Sequence, residues 1–327
     1  MNSQKKVAVI YNGFSGKDMT PEEEELKGMG ESAFRILKEL GYQVEMFDMD
    51  NPSDIIRLAK SKVDVAFNVC ERANDEPVGE SYIVAYLEML GIPQTRCSSS
   101  LLAFGIYKPN MKAFFKYHKI PTPKYQIFDN EDEALKKDLS YPLIVKGAMC
   151  ENSIGMDENC VVFDEDMLRK KIAFYTKNLK QQAIVEEFID GREFNVAILP
   201  GKNPKVLPIS EIMFSNLPTH KRVCNYPAKW DTESDIYKNT MPMIPAKVTD
   251  QEKRIIEEVS LKCFNRLRCD SYARVDIRFK NNVPYVLEIN QNPSIGEQGC
   301  GYVNSCKAFG ISYSQMIEII LENALNK

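Results

Sequence analysis

The sequence predicts an α/β protein of two or three lobes, and three observations carry that expectation. The chain has 327 residues, too many for one small core and suited to several compact lobes. Its first third alternates strand and helix patterns, which implies a parallel sheet with helices on its faces. Later segments place strands in series between amphipathic helices, which points to α+β lobes.

The elements follow in order. Lys5–Ile10 is a strand. Thr20-Pro21-Glu22-Glu23 starts a helix: Thr caps it, Pro takes the first position and Glu follows three residues after the cap. That helix runs to about Leu40 and stops at Gly41. Strands follow at Tyr42–Phe47 and Val63–Val69, then a helix at Ser81–Leu90 stopped by Gly91. This first lobe is expected to span residues 1–97, with a second over 98–185 and a third over 186–327. In the second, a helix lies around Lys112–His118, strands at Lys124–Phe128, Pro142–Lys146 and Cys160–Phe163, and a helix at Asp164–Lys177. Strands at Ala183–Phe188, Glu193–Leu199 and Lys205–Ile212 come next, then a loop rich in Pro, Asn and Thr over 215–247. Thr249-Asp-Gln-Glu252 is a capping box, opening a helix with Ile256, Val259, Cys263 and Leu267 on one stripe. Strands Tyr272–Phe279 and Pro284–Ile289 and a final helix Tyr313–Leu325 complete the chain.

Composition narrows the function classes. The chain is 44% apolar and 27% charged with a formal net charge of −4, and no dense Lys/Arg run interleaves with aromatics. Neither nucleic acid nor an anionic membrane is implied as a partner. Apolar runs fall far short of the roughly 20 residues of a membrane span. Nine scattered cysteines without a CxxC pair suggest reduced thiols in the cytosol rather than a zinc site. Two histidines, His118 and His220, leave little room for mechanisms built on several of them.

The stretch PYVLEINQNPSIGEQG, residues 284–299, carries the first chemical signal. Glu288 and Asn290 stand two apart at the end of an apolar strand, so they point to one side. The preceding strand holds Arg274 and Asp276, and Asn281-Asn282 makes a plausible tight turn between them. Antiparallel pairing brings Asp276 opposite or diagonal to Glu288. Asp276, Glu288 and Asn290 then form a set of hard oxygen ligands, too few for a calcium cage and suited to Mg²⁺ completed by waters and phosphates. Arg274 would hold an anion beside it. A surface hairpin with a charged wet face explains the same residues.

Three further signals are weaker singly. Around Asp190-Gly191, Glu186, Glu187 and Glu193 flank a turn between two strands, an edge able to meet a purine by backbone and a ribose by carboxylate, or an ordinary hairpin. The strand Leu143–Lys146 ends in a lysine before the small loop Asn152-Ser153-Ile154-Gly155, and backbone N–H groups plus a lysine can cradle phosphates. Lys108 is the fourth signal, and a lone lysine is more often solvated. No Walker A sequence or GxGxxG is present.

In order and spacing these pieces resemble the ATP-grasp superfamily, specifically its D-alanine-D-alanine ligase-like branch. The resemblance covers nearly the whole chain and is strongest over 141–199 and 270–296. It implies a three-lobed ATP-grasp fold: an N-terminal parallel α/β lobe plus two α+β lobes gripping ATP. It implies ATP and Mg²⁺ as cofactors, with Mn²⁺ as a substitute. Lys146 and Ser153 match the family's phosphate-gripping lysine and mobile loop. Glu186 is implied at the adenine amino group, the backbone of Glu187, Phe188 and Ile189 at the ring, and Glu193 at the ribose. Lys108 and Lys229 match further nucleotide lysines, and Arg274, Asp276, Glu288 and Asn290 match the family's catalytic arginine and metal signature. The implied reaction joins a small-molecule carboxylate to an amine through an acyl phosphate, releasing ADP and phosphate. A homodimer is also implied.

The departures fall on the amino-acid pocket. Where the family carries a Glu, a Ser and a Tyr around its first substrate, this chain holds Lys17, Asn152 and Trp230. Cys70-Glu71 stands for the family's His-Gly, Ser294 for a Gly, and Gly299 or Cys300 for a carboxylate-anchoring Ser. Cys70, Cys300 and Cys306 are expected to be packing residues, since the chemistry has no role for a thiol. A substrate pair other than two D-alanines is therefore expected. An authentic cell-wall D-alanine ligase and a non-catalytic nucleotide-binding module remain as the competing readings.

Overall fold

The computed structural model describes residues 5–14, 18–73, 78–149, 153, 155–298 and 301–327. Strands β1 (Lys6–Tyr11), β2 (Gln43–Asp48) and β3 (Val65–Asn68) form a parallel sheet in the order β2-β1-β3. Val7, Val9, Ala8 and Ile10 of the central strand are fully buried, as a strand covered on both faces requires. Between the strands lie α1 (Pro21–Glu39) and α2 (Pro52–Lys60); α3 (Gly79–Met89) follows β3. The capping box at Thr20 and Glu23 is formed, and Gly41 ends the turn at φ +88°, where a side chain would be strained. Helix α2 was not among the expected elements; it is only nine residues long, with Ile55 and Leu58 turned to the core beside β1 and β2.

Two helices link this sheet to the next, where only one around Lys112–His118 was expected. They are α4 (Ser99–Ile106) and α5 (Lys108–Tyr117), with His118 as the C-cap. The first is apolar around its circumference, so it lacks helical periodicity. Pro109 sits in the first turn of α5, where its missing N–H costs nothing.

The second sheet is antiparallel, with β4 (Tyr125–Phe128), β5 (Leu143–Gly147), β6 (Val161–Val162) and, after α6 (Glu165–Ala173), β7 (Ala183–Glu187). Its order is β4-β7-β5-β6. The helix expected over Asp164–Lys177 is α6 continued by a π-helical turn, Phe174–Asn178.

The third sheet begins with β8 (Arg192–Leu199), β9 (Lys205–Val206) and β10 (Ser210–Phe214). The single strand expected over Lys205–Ile212 is thus two. Pro208 lies in the gap and has no N–H for a ladder bond. The expected loop over 215–247 is also more ordered than its composition suggested. It holds α7 (Tyr226–Trp230), α8 (Asp235–Lys238) and β11 (Thr240–Met243), each too short to show a period. After α9 (Asp250–Leu267) come β12 (Ala273–Lys280) and β13 (Val283–Asn290), giving the order β11-β10-β8-β12-β13 with β9 paired to β8. The capping box of α9 is formed, and its stripe Ile256, Val259, Cys263 and Leu267 is buried. Asn281 and Asn282 both take positive φ, 51° and 61°, as a type I′ hairpin turn demands.

Helices α10 (Gly301–Ala308) and α11 (Tyr313–Leu325) return to the first sheet. Met316, Ile317, Ile320 and Leu321 share one core with α1, β1 and β3. Among the described residues no helix is long and apolar enough to cross a membrane.

Candidate active site

The hairpin of β12 and β13 fixes the centre of the site. Arg274 pairs with Asn290 and Asp276 directly with Glu288. Between Asp276 and Ile277 the register shifts, because Ile277 pairs with Val286 and leaves Leu287 as an extra residue on β13. Such a bulge re-aims side chains. Here it sets Glu288 level with Asp276. Arg274 grips Asp276 in bidentate fashion, Nε to Oδ1 at 2.7 Å and Nη2 to Oδ2 at 2.7 Å. Asn195 of β8 donates Nδ2–H to the same Oδ1 at 2.8 Å. Asn290 is oriented through its Oδ1, which accepts the Asn292 N–H at 2.8 Å.

Cations surround Glu288. Desolvation raises its pKa, but Lys108, Lys146, Arg274 and Lys229 overcome that and bring it down to about 2. Lys108 Nζ lies 4.0 Å from it. A carboxylate so placed is ionised throughout the neutral range. The donor set fits Mg²⁺: two carboxylates and an amide oxygen, all hard ligands on one side of a hairpin. Among the described residues no three His, Cys, Asp or Glu side chains form a complete metal cage. Mg²⁺ held here would therefore keep waters or phosphate oxygens among its ligands.

A second centre lies at the end of β7. Glu186 is 1% exposed, and its Oε1 meets Lys112 at 3.0 Å while Oε2 meets Lys146 at 3.2 Å. Burial disfavours the Glu186 charge, yet the two lysines outweigh it and lower its pKa. Desolvation likewise opposes the Lys146 charge, and Glu186 and Glu288 raise it again. The Glu187 N–H donates to Lys124 O and the Phe188 N–H to Pro142 O, so these two donors are committed within the protein. Glu193 pairs with Arg278 at 2.6 Å. Arg278 also donates to Gly191 O at 3.0 Å and to Arg222 O, tying the hairpin to the segment that carries α7.

One cavity of about 1040 Å³ joins both centres. It is lined by Lys108, Lys146 and Lys229, by Glu186, Glu187, Phe188, Ile189 and Glu193, and by Arg274, Asp276, Glu288 and Asn290. Ser153 lines it too, at φ 63°, its hydroxyl donating to Cys224 O at 3.0 Å. Of the expected substrate residues, Glu71, Trp230 and Ser294 line the same cavity, while Lys17 and Asn152 lie outside the described residues. Ser294 is turned to Glu25 of α1. The indole Nε1 of Trp230 is buried with no hydrogen-bond partner among the described residues. Cys70 and Cys306 are buried, the Cys70 thiol pushed up to about 12 by desolvation; Cys300 lies outside the described residues.

Four contributors escaped sequence reading: Lys112, Asn195, Arg278 and Tyr226. The first three carried a faint signal. Lys112 is four residues after Lys108 on one helix, Asn195 two after Glu193, and Arg278 two after Asp276. Tyr226, at the start of α7, lines a small pocket with Glu22 of α1 and donates its N–H to Met156 O. Nothing in its local sequence marks that contact.

Comparison with known proteins identifies the family. The family model described as D-ala D-ala ligase C-terminus matches residues 103–322. The D-alanine–D-alanine ligase of Carboxydothermus hydrogenoformans is 30% identical over 97% of this chain and 97% of its own. The crystal structure of D-alanine–D-alanine ligase from Bacillus anthracis complexed with ATP covers 98% of each chain at TM-score 0.77 and 24% identity. The VanG D-Ala:D-Ser ligase of Enterococcus faecalis covers 98% of this chain and 99% of its own, at TM-score 0.76 and 22% identity, and so shares the fold. The chain therefore belongs to the D-alanine–D-alanine ligase family of ATP-grasp enzymes, ATP-dependent ligases that form C–N bonds.

Proposed function

We propose that this ligase joins an amino-acid-like carboxylate to an amine through an acyl phosphate, with a substrate pair other than two D-alanines. The observation that carries the substrate part is Trp230. It stands in the cavity where the family places a tyrosine, and an indole can donate a hydrogen bond but not accept one. A pocket built around a tyrosine hydroxyl thus loses an acceptor at that point.

The reaction follows from the charges. A substrate carboxylate oxygen attacks the γ-phosphorus of ATP, and the bond from that phosphorus to the bridging oxygen breaks, releasing ADP. The amine nitrogen then attacks the acyl carbon, the carbon–oxygen bond to phosphate breaks, and the amine proton is lost as phosphate leaves. Lys108, Lys146 and Lys229 are suited to hold the triphosphate oxygens, and Arg274 to hold the acyl phosphate. Glu186 is suited to accept from the adenine amino group, and Glu193 from ribose hydroxyls. Asp276, Glu288 and Asn290 would hold Mg²⁺, which when bound supplies neutralisation of phosphoryl charge. No protein nucleophile is required.

The second reading is the cell-wall D-alanine ligase itself, favoured by the naming of the relatives. Phosphate and ADP release from MgATP across D- and L-amino acids, singly and in pairs, separates the two. Turnover with a non-D-alanine pair and a condensed product by mass is expected. Turnover confined to paired D-alanines, with inhibition by D-cycloserine, would overturn the substrate reading.

A further inference from the structure

Lys112 is 1% exposed, and its ammonium makes three contacts, all at 3.0 Å: to Glu186 Oε1, Thr122 Oγ1 and Leu287 O. An ammonium has three N–H donors, so none is left over. The Leu287 carbonyl belongs to the bulged residue of β13, one before Glu288. A bulge leaves its extra residue outside the regular ladder, and this carbonyl finds its donor in Lys112. Thr122 supports the same point, donating its hydroxyl to Val286 O at 2.7 Å. Lys112 thus touches the carboxylate at the end of β7 and the strand that aims Glu288.

We infer that Lys112 is a positioning residue that locks Glu186 and the Glu288 bulge into one frame and leaves Lys146 available to the phosphates. The inference rests on the nucleotide and metal roles proposed above. Glu186 is shared by two lysines in this structure, which leaves one positive charge in excess. If Lys146 turns to a phosphate, Glu186 keeps Lys112 as its counter-ion. Without Lys112, Lys146 would have to choose between a buried carboxylate and the nucleotide. A buried carboxylate with no cation is strongly unfavourable, so the choice would fall on Glu186.

The test is calorimetric titration of the full chain with ATP, with and without Mg²⁺, on the parent, Lys112→Met, Glu186→Gln and the double variant. The key readout is the enhancement of ATP affinity by Mg²⁺, a ratio that plain destabilisation of a folded sample does not move. Lys112→Met is expected to weaken ATP binding about tenfold without metal and to shrink the Mg²⁺ enhancement severalfold. That variant leaves Glu186 a single counter-ion and the Leu287 carbonyl without its donor, and could fail to fold. The double variant replaces both charges with near-isosteres and carries the test in that event. Its Mg²⁺ enhancement is expected to fall severalfold below that of Glu186→Gln alone, because the bulge carbonyl has lost its donor. Equal enhancement in those two proteins would overturn the role given to Lys112. A parent protein that binds no MgATP would instead overturn the nucleotide reading beneath it.

Discussion

Asp276 of β12 stands directly opposite Glu288 of β13, and a bulge one step away keeps them level. The alignment lets two carboxylates from neighbouring strands face one cavity. Their neighbours differ. Asp276 is clamped by Arg274 and Asn195, whereas Glu288 is 44% exposed and ringed by cations. Asp276→Asn and Glu288→Gln are each expected to lower kcat at least about 100-fold, equivalent to about 3 kcal/mol of lost charge stabilisation. Raising Mg²⁺ should recover part of the loss. Phosphate release measured against Mg²⁺ concentration checks this, and unchanged turnover in both variants would remove the metal assignment.

The same pair predicts a pH dependence of stability. Glu288 titrates at about 2 in the folded chain against an ordinary value of 4.5. A carboxylate with a lowered folded pKa stabilises fully above its unfolded pKa and loses that contribution as pH falls toward the folded one. The parent should therefore lose stability relative to Glu288→Gln between pH 4.5 and about 2, with a constant difference above pH 5.5 or so. The side chain's exposure screens the effect, so its size should shrink with added salt. Urea midpoints of the two proteins across this range provide the check.

Arg278 and Glu193 form a buried pair, 5% and 7% exposed. Arg278→Met leaves Glu193 without its cation and releases two backbone carbonyls, at Gly191 and Arg222. A destabilisation of about 3–5 kcal/mol is expected, largely relieved by adding Glu193→Gln. Limited proteolysis should also speed up within 215–240, since Arg222 loses its tie to β12. A variant as stable and as resistant as the parent would contradict this role.

These relationships were unevenly legible in the sequence. The Asp276 and Glu288 strands could be read because alternation and an Asn-Asn turn leave few ways to pair them. The bulge could not, since it depends on how β13 meets Lys112 and Thr122 across the fold. Glu186 was found through its strand and turn, yet its two lysines come from α5 and β5 and meet only in three dimensions. The helices over 226–238 carry Trp230 and Tyr226 but span too few residues to show a period. Composition alone made that segment look like a loop.

Tyr226 of α7 and Glu22 of α1 line one small pocket. Burial first, and Glu22 next, raise the phenol pKa, so the hydroxyl remains a donor at neutral pH. Tyr226→Phe removes the hydroxyl beside Glu22 while keeping the ring. Stability should drop by about 0.5–1.5 kcal/mol, and KM for the amino-acid substrate should rise severalfold with kcat nearly unchanged. Steady-state kinetics decides: a fall in kcat alone would place Tyr226 in the chemistry rather than in shaping the substrate pocket.

Trp230 offers the sharpest test of substrate choice. It follows Lys229 on α7, and both side chains line the cavity. Its buried Nε1–H lacks a partner among the described residues, a cost of about 1–3 kcal/mol unless a ligand or water accepts from it. A substrate bearing an acceptor at that point would regain this energy; D-alanine held by a tyrosine hydroxyl would not need it. Trp230→Tyr should therefore lower kcat/KM for the native pair about tenfold and raise any activity with D-alanine. Competition assays with both substrate pairs in one tube measure the ratio directly. If the ratio is unmoved, Trp230 fills space without choosing substrates, and specificity must be sought at Glu71 and Ser294, which line the same cavity.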